Sequence, residues 1–91
     1  MPNSLKLNKE TKSFIKSSLN IEENILNLGL NKWKNKLKEF EKEHKISTET
    51  FVKKFNNGEL GNDKKWFGWI FAYKAYNHII KKLNLVKGII I

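Results

Sequence analysis

The sequence predicts a mainly α fold: a four-helix compact domain with a short strand at its N-terminus. Three observations lead there. Apolar residues recur every three or four positions over most of the 91 residues, the period of a helix with one buried face. Cap-forming residues, Asn8, Ser47, Gly58 and Asp63, stand where those runs begin or end. At the start, Leu5 and Leu7 alternate with Ser4, Lys6 and Asn8, a period of two that suits a strand.

Taken in order, residues 3–8 carry two readings. They form a strand that pairs with its own copy in a dimer, since a lone strand has an open edge, or they are a frayed terminus. A short helix over 9–19 follows, with Phe14, Ile15 and Leu19 on its apolar side and Asn8 as its cap. Asn20 is expected to break it. A second helix, over 22–44, opens with Glu22 and Glu23, where acids favour the positive helix N-terminus. Its apolar seam, Leu26, Leu30, Trp33, Leu37, Phe40 and His44, steps by 4, 3, 4, 3 and 4, and Ile25 and Leu28 widen it at the start. Gly29 inside this helix costs about 1 kcal/mol relative to alanine, so either another element packs closely there or the helix bends. Lys32, Lys34, Lys36, Lys38 and Lys42, with Lys45 just beyond, crowd its other faces alongside Glu39, Glu41 and Glu43, which reads as a solvated surface.

A third helix, over 48–56, has Ser47 as its N-cap, with Ile46 and Phe51 placed to form a hydrophobic staple. Gly58 stands where a left-handed residue closes it, and Asn62 or Asp63 caps the next. That fourth helix, over 64–83, is the aromatic centre of the chain. Six of the eleven aromatic residues lie between 64 and 76. One row runs through Trp66, Trp69, Tyr73, Tyr76, Ile80 and Leu83, a second through Phe67, Phe71 and Ala75. Apolar surface this broad needs cover on more than one side. Trp66, Trp69, Tyr73 and Tyr76 are therefore the candidate partner-binding residues, because Trp and Tyr join large apolar area to a polar tip. Within that row Trp69 is assigned to the core and Trp66, in the first turn beside Lys64 and Lys65, to the interface. The closing Lys87-Gly88-Ile89-Ile90-Ile91 can pack, pair or stay loose; the pattern fits each.

The chain is read as a single domain over 1–91, with a dimerising or DNA-binding half over 1–45 and a partner-binding helical half over 46–91. All eighteen basic residues are lysine, against nine acids, for a net charge of +9. Lysines neutralise phosphates, which invites a nucleic-acid reading. The lack of arginine removes the side chain that most often reads guanine, and the richness in Lys, Asn and Ile has a compositional explanation. No cysteine, signal peptide or long apolar run is present, so an intracellular, cytoplasmic protein with no membrane partner is expected. His44 and His78 fall in no metal-ligand spacing. Glu59 and Asp63 suit the loop and the cap better than an acid pair. No phosphate loop, dinucleotide fingerprint or nucleophile elbow occurs. No enzyme, cofactor or metal is expected.

Residues 47–76 resemble a segment of small antitoxin-like proteins from prokaryotic toxin–antitoxin modules. The matching features are Ser47-x-Glu49-x-Phe51, then Lys54-Phe55-x-x-Gly58-Glu59-Leu60-Gly61-x-Asp63, then Trp66-Phe67-x-Trp69. Lys64 and Lys65 stand where that segment usually carries acids. A strand, a short helix and a longer helix are similar to the ribbon–helix–helix layout of many antitoxins. That likeness implies DNA contacts from Ser4, Lys6 and Asn8 through paired strands of a dimer. The resemblance implies a non-enzymatic protein that neutralises a toxin-like partner protein, with DNA as a second candidate partner; two wide apolar helices and an unpaired strand imply a homo-oligomer. Two alternatives stand beside it: a stand-alone nucleic-acid-binding module, and a helical adaptor subunit of a larger assembly.

Overall fold

The computed structural model describes residues 8–89. They form α1 (Lys9–His44), α2 (Thr48–Asn56), a single 3-10 turn (Lys64–Trp66) and α3 (Phe67–Lys87). The fold is mainly helical, and no strand occurs among the described residues. The expected strand over 3–8 lies outside them except for Asn8. That residue caps α1, its Oδ1 accepting from the Thr11 N–H at 2.8 Å.

The expected helices over 9–19 and 22–44 are one helix. Asn20 does not break it. Asparagine inside a helix costs only about 0.7 kcal/mol or less relative to alanine, and no proline or glycine adjoins it. The apolar seam also runs straight through: Ile15, Leu19, Glu23, Leu26, Leu30, Trp33, Leu37, Phe40 and His44 are all at least half-buried. At 36 residues, α1 is about 54 Å long.

α3 returns antiparallel along that seam. Trp69 stacks on Phe40, Phe71 meets Trp33 edge-on, and the methyl end of Ile79 lies over Gly29. A β-carbon on Gly29 would stand 3.0 Å from that methyl, so close packing, rather than a bend, explains the glycine. Further on, Val86 and Ile89 face Leu19 and Glu23. α3 thus continues past the expected end at Leu83, held by this packing. The result is a two-helix hairpin capped at one end by α2, instead of a compact four-helix domain. Its radius of gyration is 19.0 Å, against about 12 Å for a compact chain of this length.

The links around α2 are fixed by local chemistry. Ser47 Oγ accepts from the Thr50 N–H at 3.1 Å, closing the helix start. Glu41 reaches across from α1 and accepts from the Thr48 N–H at 2.8 Å. At the other end Gly58 has φ +76°, with its N–H bonded to the Phe55 carbonyl and that of Glu59 to Lys54. That pair of bonds is a Schellman stop. Asp63 caps the 3-10 turn through the Lys65 N–H at 3.1 Å. α1 ends less comfortably: Lys45 adopts φ 57°, a left-handed conformation that costs a side chain about 1–2 kcal/mol.

Candidate partner-binding site

The aromatic row of α3 divides according to what covers it. Trp69 has 0% exposure and lies parallel to Phe51 with ring centroids 3.9 Å apart. Its other ring neighbours are Phe40 at 5.5 Å and His44 at 5.3 Å. The indole N–H donates to Thr48 Oγ1 at 3.1 Å, so the one polar atom of a buried tryptophan is satisfied. Trp69 is the centre of the core and has no surface to offer a partner. Trp66 is half-buried against His44 and Phe51, and its N–H donates to the Leu60 carbonyl at 3.1 Å. It secures the link between α2 and α3 while keeping one flank in solvent, with the Lys65 ammonium 4.8 Å from its ring.

Tyr73 and Tyr76 come together in a groove of about 330 Å³ where α1, the start of α2 and α3 meet. Lys34 and Lys38 line it from α1, Glu49 from α2, and Asn77 from α3. Both tyrosines are half-buried. An open groove with two aromatic walls and a rim of Lys34, Lys38, Glu41 and Glu49 can seat an apolar segment flanked by charges. Of the four sequence candidates, then, Tyr73 and Tyr76 share a groove, Trp66 stands apart beyond α2, and Trp69 lies behind them all.

Of the three DNA-contact candidates, one, Asn8, is among the described residues. Ser4 and Lys6 lie outside the described residues, and the Asn8 carboxamide is engaged in capping α1. The continuous α1 also removes the second helix that a ribbon–helix–helix arrangement requires. Glu59 and Asp63 serve the loop: Glu59 Oε2 accepts from Asn57 Nδ2 at 3.5 Å, and Asp63 is the cap. Among the described residues no three His, Cys, Asp or Glu side chains converge as metal ligands. No helix among the described residues is long and apolar enough to cross a membrane. Across the described residues the one charge contact is between neighbours, His44 and Glu43, at 3.9 Å, which leaves the lysine faces to solvent.

A second surface was hidden by the expected break at Asn20. Phe14, Ile21, Ile25 and Leu28 are 72%, 60%, 56% and 72% exposed. Their spacing of 7, 4 and 3 places them on one stripe of α1, about a third of a turn from the seam. Ile25 and Leu28 therefore do not widen the seam; they belong to this outer stripe. On a continuous helix the pattern is readable from sequence, but dividing the helix assigns Phe14 to a different element.

No family model, curated protein or solved structure matches the chain.

Proposed function

We propose that this chain is a non-enzymatic binding protein of antitoxin type, which neutralises a partner protein by holding one of its segments in the Tyr73–Tyr76 groove. The groove is the observation that carries the reading. Two tyrosines within a rim of Lys34, Lys38, Glu41 and Glu49 suit a partner segment of apolar residues flanked by charges, and the likeness of residues 47–76 to antitoxin-like proteins supports the same reading. Tyrosine contributes much contact area at little conformational cost.

The test is co-expression with the product of an adjacent reading frame that arrests growth. The intact chain should restore growth and copurify with that product in a defined ratio. Tyr73→Ala combined with Tyr76→Ala should lose rescue while keeping the helical circular-dichroism signal. Unimpaired rescue by the double variant would remove the groove from the interaction.

The solvated lysines favour a second reading, a nucleic-acid-binding module. Labelled duplex DNA and single-stranded RNA, titrated at low and moderate salt, should then bind with steep salt dependence. Flat, weak binding at both salts would exclude it.

A further inference from the structure

Three of the four residues of the outer stripe of α1, Ile21, Ile25 and Leu28, lie in the longest lysine-free stretch of the chain, while Phe14 stands between Lys12 and Lys16. Residues 17–31 contain no lysine, although the chain as a whole holds eighteen. Their only charges are Glu22 and Glu23. On one flank the stripe is bordered by Ser13, Ser17, Asn24 and Asn31, all small or neutral. Depletion of lysine around exposed aliphatic residues is the composition of an interface core. Around Ile21, Ile25 and Leu28 the lack of lysine and the presence of Glu22 and Glu23 disfavour a nucleic acid or an anionic membrane as occupant.

The pattern along the stripe is self-complementary when reversed. Glu10 lies one turn before Phe14, and Lys32 lies one turn after Leu28. In an antiparallel pair centred on Ile21, Phe14 meets the partner's Leu28, and Ile21 meets the partner's Ile21. Ile25 then falls over the partner's Ser17 and Ser18, which leave room for it. Glu10 comes opposite the partner's Lys32, whose ammonium in the single chain rests 5.1 Å from the Trp33 ring. A parallel pair in register would instead set Glu10 against Glu10 and Lys32 against Lys32. Such a two-fold arrangement uses the same patch on both copies. The elongated shape leaves enough surface for such a contact. The chain exposes 7258 Å², whereas a compact monomer of 10.7 kDa exposes about 5,500 Å². The excess exceeds the roughly 800 Å² per partner that a standard interface buries.

We propose that two copies of this chain associate antiparallel through the stripe Phe14, Ile21, Ile25 and Leu28 of α1, with Ile21 at the two-fold axis and Glu10–Lys32 pairs closing each end. The α2-capped ends then project in opposite directions, leaving both Tyr73–Tyr76 grooves accessible. This assembly is independent of the groove's partner.

Light scattering on the full chain at tens of micromolar should give twice the 10.7 kDa mass. Ile21→Glu should weaken the dimer about tenfold or more with an unchanged helical spectrum, since Ile21 is already exposed in the single chain. Ile25→Glu gives an independent second variant. Register is read by oxidative cross-linking, which is clean because the chain has no cysteine. A mixture of Phe14→Cys and Leu28→Cys chains should form the mixed disulfide, and neither variant alone should link efficiently. A monomer at these concentrations, or a dimer indifferent to both glutamate variants, would overturn the proposal. Efficient linking of Phe14→Cys to itself would overturn the antiparallel register.

Discussion

At the α2 end of the hairpin, Phe51, Trp69 and Ala72 are closed from solvent and ten further apolar or aromatic side chains pack around them. At the far end Leu26 and Leu83 alone are buried among the described residues, while Phe14, Ile21, Ile25, Leu28, Leu85 and Ile89 stand exposed. The same two helices run through both ends. The difference is the third layer: α2 gives Trp69 a second side to pack on, whereas two helices alone can bury only one stripe each. Apolar surface is therefore spent on stability at one end and remains free for association at the other.

The largest expected effect tests that contrast directly. Trp69→Ala should lose about 3–5 kcal/mol, enough to unfold a small domain, whereas Leu83→Ala should fall near 2 kcal/mol, the low end of the range for leucine. Urea denaturation measures both. Equal losses would mean that the α2 end is no firmer than the other. A smaller effect comes from Thr48, which joins the three helices by receiving the Trp69 indole and donating its N–H to Glu41. Thr48→Val keeps the shape but strands a buried donor, costing about 1–3 kcal/mol. Thr48→Ser should restore most of it, and if serine is as harmful as valine, packing of the methyl outweighs the hydrogen bond. Smallest and of opposite sign is Lys45→Gly, which should raise stability by about 1 kcal/mol by relieving the left-handed residue. A lower melting temperature would show that the Lys45 side chain contributes more than its backbone costs.

Legibility in the sequence followed the range of the interactions. Ser47, Gly58 and Asp63 act within a few residues of themselves, and each does what its position suggests. The 26-30-33-37-40-44 seam was likewise readable, because a helical period needs no knowledge of its partner. Asn20 was misleading because its intrinsic preference is weak and tertiary packing of Leu19 and Glu23 against α3 overrides it. Pattern also could not tell which of two α3 rows would be covered. That depends on α2 folding over Trp69, and it leaves Phe67 and Phe71 more than half exposed. For the candidate site, the aromatic row was visible, but the meeting of Tyr73 and Tyr76 with Lys34 and Lys38 depends on the antiparallel return of α3.

Because Thr48 ties α1, α2 and α3 together at one end only, the length of the rod is an adjustable dimension. Removing seven residues from the free end of α1 and seven from the matching stretch of α3 would shorten the hairpin by about 10 Å. The seam would keep its phase, since seven residues make nearly two full turns. Deleting a single residue would instead rotate everything beyond it by about 100° and turn the seam away from its neighbour. Chains of this design can thus tolerate insertions and deletions only in whole repeats, and a spacing between paired capped ends can be set in steps of that size.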